Sequence, residues 1–211
     1  MATKPAIPLI LGSVRPNNNC DGLASFIIDQ WHQKISSESD LPSIVSAKEL
    51  MPPNLSLPIG PFEEPRLSHG IHAPEEYTTP EVQEWSKIIR SAPAVIIITP
   101  QYNWGIPGQL KNLLDHLFNE WNAKPFLIIT YGGHGGSKCA EQLSSVIQMG
   151  LKAKLVCDPI QITLPKEYIS GEKRVSRESK GQDDAFLLEY KNNIAVALDA
   201  LINAIAPKKA E

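Results

Sequence analysis

The sequence is short of several things, and each shortage removes a class of protein. Cysteine is scarce: Cys20, Cys139 and Cys157 are the only three in 211 residues, an odd number with no C-x-x-C spacing. That suits free thiols in a reducing compartment better than a secreted disulfide framework. An excess of one charge is also missing, since 20 Lys and Arg stand against 23 Asp and Glu, for a net charge of −3. A nucleic-acid binder carries a basic excess or stripe. The densest basic groups here are only Lys208-Lys209 and Lys173-Arg174. Long apolar runs are absent too. The first one, Ala6 to Leu11, is flanked by Pro5, broken by Pro8 and soon followed by Arg15, which is too short for a signal h-region or a membrane span. No nucleic-acid partner, no membrane association and a cytoplasmic location are therefore expected.

What remains is ordinary globular material, 42% hydrophobic and 20% charged. At roughly 150 residues per domain, one domain over 1–211 is expected. A chain of this length buries about 70% of its unfolded surface and needs no metal or disulfide staple. His69 and His72 do not match a zinc spacing and have no third ligand near them in sequence, so no metal site is expected.

Apolar runs alternate with helical stripes. Ile7–Leu11 reads as a buried strand, and Leu23, Phe26, Ile27 and Trp31 follow at helical spacing. Ile44-Val45 is a candidate second strand. Residues 51–80 hold seven of the 18 prolines and read as a long irregular excursion, a length usually reserved for function. Thr79-Pro80-Glu81 is a helix start with cap, first-turn proline and acid in place. Ala94–Ile98 and Phe126–Ile129 read as central parallel strands. Helices are expected from Pro107 through Trp121, from Ser137 to Leu151 and from about 182 to 205. A last strand falls within 155–163, and 165–181 reads as a polar loop. The pattern predicts an α/β protein with a doubly wound, five-stranded parallel sheet in the order 2-1-3-4-5 and helices on both faces. Ligands of such sheets bind outside the carboxyl ends of the strands, at the switch point.

Three unusual loops follow three of those strands. The first, Gly12–Cys20, has neither the G-x-G-x-x-G nor the G-x-x-x-x-G-K-[ST] pattern. It offers Ser13, Arg15 and the amides of Asn17, Asn18 and Asn19 just before a helix, which suits a phosphate. A plain capped turn is the competing reading, and Asp21 in the first turn counts against the anion. The second, Thr99–Pro107, sets Gln101, Tyr102, Asn103 and Trp104 between Pro100 and Pro107. Its amides can address a polar heterocycle edge and its aromatics can cover a flat ring. The third, Tyr131–Gly136, has four glycines in six residues. It lets a ligand approach backbone N–H groups that can face developing negative charge. His134 within it reads either as an exposed loop residue or as a proton carrier at the mouth of a site. Cys20 reads as a packed thiol.

With Gly12-Ser13-Val14-Arg15, Pro100-Gln101-Tyr102-Asn103, the run from Pro107 through Leu110-Lys111-Asn112 to Asp115, and Tyr131-Gly132-Gly133, the chain resembles the NADPH-dependent FMN reductase family, the flavodoxin-like NAD(P)H:quinone reductases, and most of all its fungal branch. The resemblance covers about residues 6 to 165. It implies FMN as cofactor and NADPH or NADH as hydride donor. It implies that Ser13 and Arg15 hold the FMN phosphate, with Asn18 where many members have serine. Pro100, Gln101, Tyr102, Asn103 and Trp104 would lie along the isoalloxazine, and Tyr131, Gly132 and Gly133 on its pyrimidine side. No dedicated catalytic side chain is implied. Hydride would pass to the flavin and then to a small-molecule acceptor, a quinone or free flavin, in a ping-pong sequence. The helix bearing Lys111 and Asp115 would pack across a homodimer interface. Two alternatives stay open at this point, a redox-responsive flavin protein acting through a protein partner and a non-redox phosphate-ester enzyme.

Overall fold

Strands made of Ile, Val and Leu with no polar break can be stable only when both faces are covered, and in this chain they build the middle of a parallel sheet. The computed structural model describes residues 5–35, 41–55, 57, 59, 60, 64, 68–176 and 184–206. The tail pair Lys208-Lys209 and parts of the 51–80 and 165–181 segments lie outside the described residues.

In chain order the main elements are β1 (Ile7–Leu11), α1 (Cys20–Ile35), β2 (Ile44–Ser46), α2 (Ala47–Leu50), α3 (Pro80–Ser91), β3 (Val95–Pro100), α4 (Gly108–Asp115), β4 (Pro125–Gly132), α5 (Ser137–Ser145), β5 (Lys154–Leu155), β6 (Ile160–Thr163), α6 (Lys166–Ile169) and α7 (Lys191–Ile205). The sheet order is β2-β1-β3-β4-β5, and every pairing is parallel. Leu9 is in register with Ile96, and Ile98 with Ile129. Successive side chains point to opposite faces. Leu9, Ile96, Ile98 and Ile129 therefore meet α1 and α7, which supply Phe26, Trp31, Leu198 and Leu201. Ile10, Ile97 and Ile128 meet α3, α4 and α5, which supply Trp85, Leu114 and Leu143.

The expected order stands, with a refinement at its edge. The last strand is split, and β5 and β6 both pair with β4. Val156 N–H still donates to the Phe126 carbonyl at 2.9 Å, but residues 157–159 break the ladder, and Pro159 has no N–H to donate to it. A second departure concerns the helix expected from Pro107 to Trp121, because α4 ends at Asp115. Phe118 leaves helical geometry (φ −138°, ψ −62°), and Asn119–Trp121 form a separate 3-10 turn. The Trp121 indole N–H donates to the Leu114 and Leu117 carbonyls at 3.0 and 3.1 Å, satisfying helix-end acceptors that continued helix would otherwise have used. Two further elements change type along their length. A π turn continues α5 over Val146–Gly150, and a 3-10 segment, Ala185–Tyr190, precedes α7.

The helix start at Thr79 is as expected: its hydroxyl accepts from the Val82 N–H at 3.4 Å, and Pro80 is the first helical residue. The described residues just before it are pinned to the rest of the fold. Glu120, whose side chain is fully buried, accepts from Ser86 Oγ at 2.7 Å, Arg90 Nε at 3.2 Å and Tyr77 Oη at 3.2 Å. Arg90 Nη2 also donates to the His72 carbonyl at 2.7 Å, and Asn119 Nδ2 to that of Ile71 at 2.7 Å. Burial, aided by the Glu120 carboxylate, raises the pKa of the Tyr77 hydroxyl.

Candidate functional site

The carboxyl ends of β1, β3 and β4 lie side by side, so the loops that follow them meet. Gly12 opens the first. A Cβ there would stand 2.1 Å from Thr99 Oγ1 of β3, so only glycine lets the two strands end together. Ser13 is buried, and its hydroxyl is 2.7 Å from the Tyr102 hydroxyl. The Arg15 guanidinium carbon lies 4.3 Å from the Tyr102 ring centroid, a cation–π contact. Thus Tyr102, read from sequence as a cover for a flat ring, reaches back to the first loop and touches both Ser13 and Arg15. Asn18 is spent on the turn itself. Its Oδ1 accepts from the Cys20 N–H at 2.7 Å, and its Nδ2 donates to the Arg15 carbonyl at 2.6 Å and to Asp21 Oδ2 at 3.3 Å. It shapes the loop in which Ser13 and Arg15 sit.

In the second loop, Pro100 is the last residue of β3, opposite Tyr131 of β4. Gln101 Oε1 accepts from the Lys138 and Cys139 N–H groups at 2.8 and 3.0 Å, capping α5 and tying the second loop to the element after the third. Tyr102 and Gly105 exchange backbone hydrogen bonds at 3.1 and 2.9 Å around a two-residue tip. Asn103 (φ 48°) and Trp104 (φ 64°) are both left-handed, the geometry of a type I′ turn. Trp104 is 63% exposed, and its ring is stacked with that of His134 at 6.4 Å.

The third loop turns on Gly135 and Gly136, with φ of 65° and 72°. A Cβ on Gly136 would come within 2.9 Å of Thr130 Cβ, and the Thr130 hydroxyl donates to the Gly135 carbonyl at 2.7 Å. Gly133 and His134 are exposed on the turn, and Gly132 is half-buried. The Tyr131 side chain is buried, and its hydroxyl donates to Cys20 Sγ at 3.2 Å. It belongs to the core under α1, and only its backbone can face a ligand. Cys20 is likewise a packed thiol whose pKa burial pushes up to about 12, which leaves it no thiolate at neutral pH.

One residue that sequence reasoning passed over as a further turn amide is Asn19. It is buried, its Nδ2 donates to the Tyr168 carbonyl at 2.9 Å, and its Oδ1 accepts from the Val175 N–H at 3.0 Å. No local signal marks it, because its partners lie some 150 residues away in the chain. A cavity of about 520 Å³ flanks the first loop on the β2 side, between Ser13, Arg15, Lys48 and Leu110. A wider, more open concavity lies on the other side, between Asn103, Lys111, Lys138 and Gln142.

A phosphate monoester with a flat polar ring fits this donor set. A buried hydroxyl, a guanidinium and the start of a long helix gather at one end. A proline-anchored tight turn and an exposed glycine backbone gather at the other.

The profile of a family described as NADPH-dependent FMN reductase matches residues 5–163. An NAD(P)H-dependent FMN reductase of Saccharomyces cerevisiae is 33% identical over 153 residues, 71% of this chain and 76% of that one. Another of the same description, from Schizosaccharomyces pombe, is 34% identical over 165 residues, 78% of this chain and 76% of that one. Among solved structures, a flavoenzyme NAD(P)H:(acceptor) oxidoreductase from Paracoccus denitrificans has the same fold. Its TM-score is 0.62 at 18% identity, with 95% of this chain and 98% of that one covered.

Proposed function

The chain belongs to the NADPH-dependent FMN reductase family, and from that premise we propose that it is an FMN-dependent NAD(P)H oxidoreductase that reduces a quinone or free flavin in two successive half-reactions. The observation that carries the reading is the meeting of three loops at one sheet edge, with Tyr102 joining the donors of the first to the turn of the second. Bound FMN would supply the carrier that accepts hydride from NAD(P)H and gives up the electrons to the acceptor. The protein holds and orients that carrier and tunes it electrostatically.

Ser13, Arg15 and the positive end of α1 would bind the phosphate. Tyr102 keeps Ser13 and Arg15 in place through its hydroxyl and its ring. Pro100, Gln101, Asn103 and Trp104 would line the ring, and Gln101 fixes their loop against α5. The backbone N–H groups of Gly132 and Gly133 would stabilise negative charge on the pyrimidine side. No side-chain acid–base pair is needed, because the groups that matter are donors that stay put. Nicotinamide and acceptor would use the same open face in turn, next to the exposed Trp104.

The whole chain, 1–211, is read as one domain. Its assembly is read as a homodimer through the outer face of α4, where Lys111 and Asp115 form an exposed pair at 2.6 Å. Light scattering should then give twice 23.2 kDa. The free thiols fit a cytoplasmic location, and among the described residues no helix is long and apolar enough to cross a membrane. The purified protein should be yellow and lose its colour on anaerobic addition of NADPH. With a quinone, double-reciprocal plots should give parallel lines, and intersecting lines would overturn the single-face reading.

A further inference from the structure

The family match stops at residue 163, yet the chain beyond it returns to the site. After Pro165, α6 and the residues to Ser176 wrap the start of α1. The fit is close. A Cβ on Gly22 of α1 would stand 2.0 Å from the Val175 carbonyl oxygen. Asn19 clasps the segment at both ends through Tyr168 and Val175. Asp184 secures it from behind, accepting from Tyr168 Oη at 2.7 Å and the Ser176 N–H at 3.0 Å.

Two side chains of this segment touch the flavin loops. Arg174 Nε donates to the Asn17 carbonyl at 2.7 Å, while its Nη1 donates to the carbonyls of Gly171 and Lys173 at 2.9 and 2.6 Å. Asn17 is left-handed (φ 54°) in the phosphate loop, a backbone state that persists only where surroundings impose it. The guanidinium is thus braced by its own segment on one edge and holds the loop by the other. At the far end, Ile169 is 49% exposed, and its Cδ1 is 3.2 Å from where a Cβ of Gly133 would stand. An exposed isoleucine packed on the glycine turn makes a wall where a flat ring would end.

We propose that residues 165–176 are a strap that completes the flavin site. Arg174 is a positioning residue for the phosphate loop, and Ile169 is a wall residue at the ring end. The strap rests on the flavin-site reading above and assigns its two ends to opposite ends of one ligand.

The test is a titration of the flavin-free full chain with FMN and with riboflavin, followed by quenching of flavin fluorescence. Arg174→Ala should raise the Kd for FMN about tenfold, the effect of one lost hydrogen bond to a charged group, and barely change that for riboflavin. Arg174→Lys keeps the charge but not the planar fork, so most of that loss should remain, and this variant carries the test if the alanine variant does not fold. Ile169→Ala should weaken both flavins by the same factor. Equal weakening of both flavins by the Arg174 variants, or no weakening at all, overturns the positioning role. Unchanged binding in Ile169→Ala overturns the wall. A wild-type chain that binds neither flavin would overturn the functional reading itself.

Discussion

Two arginines show how differently the protein treats one side chain. Arg90 sits in a knot with the buried carboxylate of Glu120, the Ser86 hydroxyl and the His72 carbonyl, and it fastens the proline-rich excursion to α3. Arg15, at the sheet edge, lies over the face of Tyr102 and makes no ion pair among the described residues. A guanidinium matched by a buried carboxylate has its charge answered within the protein and acts as structure. One resting on a ring keeps most of its charge for an incoming anion. The lesson is that the excursion is held by charge and the loop after β1 is held by shape.

The comparison can be broken most forcefully at Glu120. Glu120→Ala leaves Arg90 without its carboxylate. Because Arg90 is partly exposed, with 35% of its side chain accessible, the loss of stability should sit near the low end for a broken buried pair, about 3 kcal/mol. Thermal unfolding should reveal it, with the FMN-to-riboflavin affinity ratio unchanged. A change in that ratio would mean the two regions are coupled. Arg15→Ala should do the reverse. FMN binding should weaken by roughly 1.5–3 kcal/mol, with riboflavin binding and unfolding temperature little altered, and equal loss for both flavins would sink the phosphate assignment.

A smaller effect is expected at the turn between these donors and the open face. Trp104→Ala should raise the apparent KM for a quinone several-fold while changing the stopped-flow rate of flavin reduction by NADPH much less. The smallest effect concerns pH and lies on the excursion side. His116 is buried, with Nε2 3.3 Å from the Gly60 carbonyl. Desolvation lowers its pKa below the ordinary 6.5, against the opposing pull of Gly60 and Asp115. The unfolded chain therefore takes up this proton first, so the contribution is complete above about pH 6.5 and is lost as the pH falls below it. The melting temperature should drop between about pH 7 and pH 5, and His116→Asn should flatten that slope.

Much of this was legible because it is local. The β-branched runs named the strands, Thr79-Pro80 named a helix start, and the three loops announced the sheet edge. What escaped reading depends on partners distant in sequence. Nothing near Tyr131 says that its hydroxyl turns inward to Cys20, and nothing near Asn19 says that it clasps Val175. The part Asn18 plays in closing its turn was not legible either, because an amide that closes a turn and one that binds a phosphate are the same residue type. The bend after Asp115 was hidden by an apolar stripe that Leu117 and Trp121 continue even though the helix does not. Pro159, by contrast, stood in plain view within the last strand, and its missing N–H was the available sign of the split.

That split has a consequence for how the sheet opens. β5 closes the β4 edge far from the site, at Pro125 and Phe126, while β6 closes it from Ile129 to Gly132. A continuous strand would bind both ends of β4 into one cooperative unit. Beyond Val156, whose N–H still donates to the Phe126 carbonyl at 2.9 Å, residues 157–159 divide them, so each half can detach with its own free energy. Native-state amide exchange should therefore find the β6 half fraying on its own, together with the glycine turn it borders. The edge beside the glycine turn can breathe while the far end of the sheet stays zipped.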